Sequence, residues 1–264
     1  MEITKATRAL VTGANGGIGS AIARALHAAG ATVVVTGRRT DALRPLADAI
    51  GARTVLADLA DRADVARCMA EAGPIDVLVA NAALPSSGPL LEFEPDQIDR
   101  SLDVNLRAPI MMARSAAAGM LERGRGHIVL ISSISGKVAA PGTSIYSATK
   151  FGLRGFALGL REDLHGTGVG VTTIFPGFIR DAGMFADTKV TLPRGAGTRN
   201  PEQVAAAVLR GIRENPAEIT VAAVEQSFGA FLAGISHPLV ASIQRMIGGA
   251  KIAKEIAAAQ AHKR

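Results

Sequence analysis

A tyrosine and a lysine four residues apart are the side chains in this sequence best placed to move a proton. Tyr146 and Lys150 fall within residues 144–164, a run with the pattern of a helix. At this spacing both side chains lie on one helix face, where an ammonium group favours the phenolate over the phenol. The pair therefore predicts a pKa of Tyr146 below its ordinary value and a phenol that donates and accepts a proton. A half-buried tyrosine beside a snorkelling lysine is the alternative, and the rest of the chain has to decide.

A glycine-rich loop near the N-terminus predicts a phosphate-binding site. The apolar run 9–11 ends in Thr12-Gly13-Ala14-Asn15-Gly16-Gly17-Ile18-Gly19, and an alanine-rich helical pattern follows over residues 20–29. Glycines let the backbone approach a pyrophosphate, and a helix N-terminus offers free N–H groups. The spacing G-x-x-x-G-x-G differs from the commoner dinucleotide fingerprint, so a merely tight turn between strand and helix is the alternative.

Two arginines at the end of the second strand bear on which dinucleotide would bind. Residues 31–36 are followed by Gly37, Arg38 and Arg39, where dinucleotide-binding folds often place an acidic residue for the ribose of NAD. An arginine there accommodates the 2′-phosphate of NADP, because the guanidinium group is planar and permanently charged. The sequence favours NADP(H), with NAD(H) and two merely solvated arginines as the alternatives.

Two further polar residues occupy positions where structure alone would not require them. Asn105 falls near the middle of a helical stretch over residues 95–123, and asparagine competes for backbone hydrogen bonds inside a helix. Its presence there suggests a kink or a bound water. Ser133 follows the apolar run 126–131, and open α/β sheets bind their ligands at the carboxyl ends of their strands.

The elements between these motifs alternate regularly between strand and helix. Short, nearly continuous apolar runs predict strands at 9–11, 31–36, 53–57, 76–80, 126–131, 169–175 and 218–222. Such runs are typical of a parallel sheet covered on both faces. The order predicts an α/β fold, namely a single Rossmann-type doubly wound domain with a seven-stranded, mostly parallel sheet and helices on both faces. Residues 178–200 show no periodicity and contain several Gly and Pro residues, which makes them a candidate substrate lid.

The composition excludes several classes of protein. Of the 264 residues, 48% are apolar and 20% are charged, which is a globular composition. Cys68 is the only cysteine, which excludes an internal disulfide and, with no apolar leader at the N-terminus, predicts a cytoplasmic protein. The five histidines show no ligand spacing, so no metal site is predicted. The net charge is +6, but the basic residues are scattered without interleaved aromatic residues, so no nucleic-acid binding is predicted.

Taken together, the motifs resemble the short-chain dehydrogenase/reductase family, in its short branch. The resemblance spans residues 6–222 and is carried, in order, by Thr12-Gly13-x-x-x-Gly17-Ile18-Gly19, Asp58-Leu59, Asn81-Ala82-Ala83, Asn105, Ser133, Tyr146-x-x-x-Lys150 and Pro176-Gly177. Each motif is weak alone, and their order and spacing together are specific. The resemblance implies hydride transfer between a nicotinamide and a carbonyl or alcohol carbon.

The same resemblance implies roles for individual residues. The implied catalytic residues are Asn105, Ser133, Tyr146 and Lys150. Tyr146 would exchange the proton and Ser133 would bond the substrate oxygen. Lys150 would bond the nicotinamide ribose and lower the pKa of the tyrosine, while Asn105 would hold a water of a proton relay. The implied cofactor contacts are Gly13, Asn15, Gly17, Ile18, Gly19, Arg38, Arg39, Asp58, Leu59, Asn81, Ala82, Tyr146, Lys150, Pro176, Gly177 and Ile179. Among them Asp58 and Leu59 would meet the adenine, and Asn81 would contact the ribose or hold neighbouring strands.

Two stretches depart from the family pattern. Where the family often has a threonine that bonds the carboxamide or the pyrophosphate, this chain has Asp181, which cannot donate a hydrogen bond when ionised. Its neighbour Arg180 could face an anionic group of the substrate. The second stretch, residues 226–244, has no charged side chain. The extension 223–264 is predicted to form a wall of the substrate pocket or a subunit contact, with a membrane contact through 226–249 as the alternative.

The sequence thus predicts an NADP(H)-dependent oxidoreductase acting on an apolar carbonyl or secondary alcohol. The apolar preference is based on Phe178, Met184, Phe185 and a cluster of Phe228, Phe231 and Leu232. A homodimer or homotetramer through the two long helices is expected from the resemblance. The alternatives are a dinucleotide-binding regulator without turnover and the same reductase working at a membrane surface.

Overall fold

The computed structural model describes residues 1–188, 190, 197–236, 238, 240, 242 and 249–261. The strands are β1 (Arg8–Thr12), β2 (Thr32–Gly37), β3 (Arg53–Leu56), β4 (Val77–Ala80), β5 (Gly126–Ile131), β6 (Val169–Pro176) and β7 (Glu218–Val221). The α-helices are α1 (Gly17–Ala28), α2 (Thr40–Ile50), α3 (Arg62–Ala72), α4 (Pro95–Leu102), α5 (Ala108–Glu122), α6 (Ser144–Asp163), α7 (Pro201–Glu214), α8 (Val224–Ile235) and α9 (Gly249–Gln260).

The seven strands form one sheet in the order β3-β2-β1-β4-β5-β6-β7. Every neighbouring pair is parallel, so all carboxyl ends lie at one edge. The strand order reverses between β1 and β4, and this is the switch point at which doubly wound folds bind ligands. The predicted α/β fold class is confirmed, and the sheet is wholly rather than mostly parallel.

Helices cover both faces of the sheet because alternate strand residues point to opposite sides. Leu10 packs with side chains of α3, α5 and α6, including Cys68, Met112 and Leu153. Ala9 and Val11, its neighbours in β1, pack on the other face with side chains of α1, α2 and α7. The two apolar layers enclose the sheet on both faces and leave its carboxyl edge, where the polar motifs lie, between them.

Two local features differ from simple periodicity. Helix α1 begins at Gly17, inside the glycine loop, three residues earlier than predicted, because low helix propensity hid its first turn. The helix predicted over 95–123 is interrupted by a π-helical turn, Asp103–Arg107, between α4 and α5. Asn105 lies at the middle of this turn, so the suggested distortion of the helix is confirmed.

In the described part of the chain after β7, helix α8 exposes apolar side chains. Val224, Phe228, Phe231 and Ile235 share one face of α8 and are each at least 60% exposed. Within the described part of the chain, no helix is long and apolar enough to cross a membrane. Parts of the predicted lid (189 and 191–196) and of the predicted membrane contact (237, 239, 241 and 243–248) lie outside the described residues.

Candidate active site

Ser133, Tyr146 and Lys150 come together at the carboxyl end of β5. The Ser133 hydroxyl is hydrogen-bonded to the Tyr146 phenol. The Lys150 Nζ lies 5.6 Å from the centre of the tyrosine ring. It also donates to the Ile131 carbonyl oxygen at 3.1 Å, which anchors the ammonium group beneath the strand end. The i, i+4 spacing on α6 therefore places the phenol and the ammonium group side by side, as the sequence predicted.

Burial, and not the charge of the lysine, dominates the titration of this pair. Burial raises the pKa of Tyr146 to about 12, against a smaller lowering by the hydrogen bond from Ser133. Burial also lowers the pKa of Lys150 to about 8. The predicted depression of the Tyr146 pKa is wrong for the side chains on their own, because loss of water disfavours the phenolate more than its neighbours favour it. At neutral pH the tyrosine is a neutral donor and the lysine is charged.

Ser132 supports the backbone beneath these side chains. Its hydroxyl donates to the Lys150 carbonyl oxygen at 3.1 Å, which joins the end of β5 to α6. Gly136 makes this approach possible, since a Cβ there would lie 2.5 Å from the Ser132 Oγ and 2.7 Å from the Lys150 carbonyl oxygen. The Ser133 Oγ accepts a bond from the Ser135 N–H at 3.1 Å, which leaves its own proton for the bond to the Tyr146 oxygen.

The side-chain hydrogen bonds of Asn105 go to Leu84 and not to the other three predicted catalytic side chains. Its Oδ1 accepts from the Leu84 N–H at 2.6 Å, and its Nδ2 donates to the Leu84 carbonyl oxygen at 2.9 Å. The side chain is fully buried. It therefore attaches the loop that follows β4 to the π-helical turn, because its carboxamide bonds both backbone groups of Leu84, as a neighbouring β-strand would.

The glycine loop has the shape of a cradle for phosphate groups. Gly13 has φ +62°, and a Cβ on it would lie 2.8 Å from the Ala82 Cα. A Cβ on Gly19 would lie 2.3 Å from the Gly13 carbonyl oxygen. Gly16 precedes α1 without a side-chain cap. The N–H groups of the first helical turn have no intrahelical partners and are available to an anion, so these residues fit a dinucleotide pyrophosphate.

Asn81 and Ala82 close the switch point between β1 and β4. The Asn81 Nδ2 donates to the Thr12 carbonyl oxygen at 2.8 Å. The Thr12 Oγ1 accepts from the N–H groups of Asn81 and Ala82, both at 2.9 Å. Of the two roles predicted for Asn81, the structure places its side chain in the one that holds neighbouring strands.

Arg38 and Asp58 lie on the walls of one cleft at the ends of β2 and β3. The cleft has a volume of about 250 Å³ and is lined by Arg38, Leu56, Ala57, Asp58, Asp64 and Arg67. Burial raises the pKa of Asp58, but bonds from Arg100 and the Ala60 N–H, with the charges of Arg100 and Arg38, hold it below its usual value. The Arg100 Nη2 bonds both Asp58 oxygens, at 2.9 and 3.2 Å. Arg39 is exposed and precedes α2.

The remaining predicted cofactor residues are spread around this edge. Asn15 faces the end of β2, because a Cβ on Gly37 would lie 2.9 Å from its Oδ1. Leu59 and Ile179 are buried in the two apolar layers. Ile18 lies beside Gly183, and Gly17 lies against Ala182, so the segment after β6 covers the glycine loop. Asp181 has φ +71° and an exposed carboxylate 3.3 Å from the Arg180 Nε.

Three residues to which the sequence assigned no role hold the site together. Ser132, Thr12 and Arg100 each bond a residue that the motifs identified, namely Lys150, Asn81 and Asp58. Thr12 and Ser132 are buried polar residues at or beside a strand end, which is a signal that the sequence offers. Arg100 lies on a helix 42 residues away from Asp58, and nothing local indicates the contact.

Comparison with known proteins places the chain among enzymes of one type. Residues 7–191 match the family model described as short chain dehydrogenase. A ketoacyl reductase, HetN, from Nostoc sp. is 35% identical over 221 residues, covering 80% of this chain and 77% of that protein. A solved NADP-bound 3-oxoacyl (acyl-carrier-protein) reductase from Agrobacterium tumefaciens is 27% identical with a TM-score of 0.77, covering 83% of this chain and 93% of the other. The closed form of a serine dehydrogenase with NADP⁺ is 33% identical with a TM-score of 0.72, covering 81% and 93%.

Proposed function

Because the chain belongs to the short-chain dehydrogenase/reductase family and is an oxidoreductase of that type, we propose that it interconverts a carbonyl and a secondary alcohol with NADP(H) as preferred cofactor. The observation that carries the proposal is the hydrogen-bonded pair of Ser133 and Tyr146 beside the buried Lys150. We further propose one domain, residues 1–264, with a core over 6–222, a substrate segment over 178–200 and a C-terminal extension over 223–264. A cytoplasmic location belongs to the same proposal.

The proton and the polar contacts come from this chain. A bound nicotinamide supplies or accepts the hydride. In the direction of reduction, Tyr146 donates its proton to the substrate oxygen as negative charge develops there. The Ser133 hydroxyl donates a hydrogen bond to the same oxygen, since its own oxygen is held by the Ser135 N–H. The two groups therefore act on one atom of the substrate from one strand end and one helix.

Lys150 stabilises the phenolate that remains after the proton has left. With a pKa of about 8, it carries its charge at neutral pH. The ammonium group is held 5.6 Å from the tyrosine ring, where water is excluded and its charge is poorly screened. In the oxidative direction the positive charge of an oxidised nicotinamide would add to this effect and bring the pKa of Tyr146 down from about 12.

Asn105 is proposed to combine a positioning role with a place in the predicted proton relay. Its two bonds to Leu84 use one position on each amide atom. A carboxamide has a second N–H on its nitrogen and a second lone pair on its oxygen, so a water could still bind. Loss of Asn105 would then displace both the loop after β4 and the relay.

The preference for NADP(H) and for an apolar substrate has separate support. Arg38 faces the cleft in which the predicted adenosine end would lie, and two of the similar structures are complexes with NADP. Two of the similar proteins are named for the reduction of ketoacyl groups. In this chain the rings of Phe178 and Phe185 lie 4.7 Å apart in the segment after β6. We therefore propose an apolar ketone, such as a ketoacyl group, as the substrate class.

The test is a screen of carbonyl substrates against NADPH consumption. We expect turnover of apolar ketones and ketoacyl thioesters, and none in the reverse assay with serine. Tyr146→Phe should lower kcat by about a hundredfold or more with the fold retained. Ser147→Ala, a change at the next residue of α6, should leave kcat near that of the wild type. Turnover restricted to small polar carbonyls would overturn the apolar substrate, and NADH activity equal to that with NADPH would overturn the cofactor preference.

An unchanged kcat in Tyr146→Phe would remove the tyrosine from the chemistry. Binding of NADPH without turnover of any carbonyl or alcohol would instead favour the dinucleotide-binding regulator. The two results are separate, since the first is measured with an active substrate and the second by cofactor fluorescence alone.

A further inference from the structure

The two ends of the substrate segment 178–200 lie side by side. The Arg199 N–H donates to the Phe178 carbonyl oxygen at 2.9 Å, and the Arg180 N–H donates to the Arg199 carbonyl oxygen at 2.8 Å. Ile179 and Arg199 form a parallel bridge. The segment therefore leaves and re-enters the core through a narrow neck. The contacts between this neck and the rest of the protein therefore determine the position of the segment.

One side chain of α8 bonds both strands of this neck. The Gln226 Oε1 accepts from the Phe178 N–H at 3.2 Å. The Gln226 Nε2 donates to the Gly197 carbonyl oxygen at 2.8 Å. A carboxamide is the side-chain group that offers one donor and one acceptor in a fixed plane, as a peptide does. Gln226 thus joins the outgoing and the returning strand through a single rigid group.

The preceding residue strengthens the same attachment. The Glu225 Oε1 accepts from the Gly197 N–H at 2.5 Å. This bond, with one from its own N–H and the charge of Arg199, lowers the pKa of Glu225. Consecutive side chains of α8 therefore hold both backbone groups of Gly197, which fixes the returning strand against the helix.

Two glycines allow the helix to come this close. A Cβ on Gly177 would lie 2.1 Å from the Gln226 Oε1 and 2.8 Å from the Ala222 Cβ. A Cβ on Gly197 would lie 2.8 Å from the Ala223 Cβ. Neither glycine has a positive φ, so the close approach of backbone and side chain is what requires glycine at both positions. Gly177 follows β6 directly, and the neck is therefore joined to the carboxyl edge that carries the site.

From these contacts we infer that Gln226 is a positioning residue for substrate binding. It holds the neck so that the Phe178 and Phe185 rings keep their place beside the end of β6, where the carbonyl substrate would lie. The inference rests on the proposed function, under which segment 178–200 contacts the carbonyl substrate. Because the hydrogen bonds of Gln226 go to the segment and not to Ser133, Tyr146 or Lys150, its loss should change substrate binding more than the chemical step.

The test compares Gln226→Met and Gln226→Glu with a control on the same helix, Ser227→Ala. Met keeps the length and loses both bonds, whereas Glu keeps the acceptor for Phe178 and loses the donor to Gly197. We expect KM for the carbonyl substrate to rise about tenfold in Gln226→Met and less in Gln226→Glu, consistent with two and one lost hydrogen bonds. The value of kcat and the Kd of NADPH should stay within about twofold of the wild type.

A second readout does not depend on activity. Trypsin is specific for peptide bonds after lysine and arginine, and the sequence of the segment contains Lys189 and Arg194. We expect faster cleavage there in both Gln226 variants and an unchanged rate in Ser227→Ala. Wild-type KM and cleavage rates in both Gln226 variants would overturn the inference. Faster cleavage in a protein that reduces no carbonyl would uphold the attachment and reject only the proposed function, and if Gln226→Met does not fold, Gln226→Glu decides by the same two readouts.

Discussion

Lys150 is a residue whose catalytic position works against the stability of the fold. Its pKa falls from 10.5 to about 8 on burial. Below pH 8 the folded and unfolded states both carry the charge, so the folded state bears the full cost of burying it. Between pH 8 and 10.5 the folded state loses its proton first, and the free energy of unfolding rises. The difference between the two pKa values corresponds to roughly 3 kcal/mol.

We therefore predict that Lys150→Met stabilises the protein while it destroys activity. At pH 7 the free energy of unfolding should rise by roughly 2 kcal/mol, since the bond to the Ile131 carbonyl oxygen is lost as well. The rate of reduction should fall at least about a hundredfold. Urea unfolding at pH 7 and pH 10, together with initial rates, measures both effects. A stability difference independent of pH would contradict a buried, titrating amine at this position.

Arg38 and Arg39 are neighbours in sequence with different surroundings. Both are exposed, but Arg38 lines the cleft shared with Asp58, whereas Arg39 precedes α2 and is not part of that lining. We predict that Arg38→Gln raises KM for NADPH by about tenfold to a hundredfold, the effect of one lost charge-assisted hydrogen bond, and leaves KM for NADH nearly unchanged. Arg39→Gln serves as the matched control, with a smaller effect. Equal effects of the two variants on NADPH would show that only the overall positive charge matters.

At the scale of single residues, the sequence could identify the side chains of the candidate site but not their pKa values. Spacing along α6 is a local property, so the pairing of Tyr146 with Lys150 was predictable. The raised pKa of the phenol comes from loss of water around it in the folded chain, and no local pattern carries that information. The same holds for Arg100 and Gln226, whose partners are far away in the chain.

At the scale of the elements, the contact between the π-helical turn and the loop after β4 contributes to stability, and this contribution can be measured. Asn105 satisfies both backbone groups of Leu84, so its removal leaves a donor and an acceptor unpaired in a partly buried loop. We predict that Asn105→Ala lowers the free energy of unfolding by about 2 kcal/mol, as expected for two orphaned groups. The rate of reduction should fall as well. Urea denaturation monitored by circular dichroism provides the measurement.

A matched variant separates the positioning role of Asn105 from a relay. Asn105→Asp keeps the acceptor for the Leu84 N–H but sets a carboxylate against the Leu84 carbonyl oxygen, so it should also destabilise the protein. If Asn105→Ala were as stable as the wild type and only slow, the side chain would act through water alone and the bonds to Leu84 would carry no weight.

At the scale of the elements, the sequence predicted the bounds of strongly apolar runs, but it did not predict the start of α1 or the type of turn around Asn105. The bounds of β5 agree with the apolar run over residues 126–131, because a continuously apolar run defines the strand. The start of α1 was misplaced because glycines with low helix propensity form its first turn. The π-helical turn depends on one buried contact, so the sequence indicated a distortion there without its type.

At the scale of the whole molecule, the two long helices α5 and α6 expose apolar side chains. Phe151 and Leu158 are each 41% exposed on α6, and Met111 is 43% exposed on α5. Gly155 and Gly159 lie on the same side of α6, with nothing within 4 Å of a Cβ at either position. Small residues among exposed apolar ones allow another helix to approach closely. This face therefore fits the homodimer or homotetramer expected through the two long helices.

The assembly can be tested by placing a charge at the centre of this face. We predict that Leu158→Arg shifts the protein toward monomer, because a desolvated guanidinium group without a partner is strongly unfavourable in an apolar interface. Light scattering coupled to gel filtration measures the mass. Leu91→Arg is the matched control, since Leu91 is 97% exposed and lies on neither helix.

A wild-type mass for Leu158→Arg, combined with a monomeric Phe231→Arg, would move the interface to the exposed face of α8. Sedimentation of the wild type with anionic liposomes, abolished by Phe231→Arg, would instead assign that face to a membrane surface.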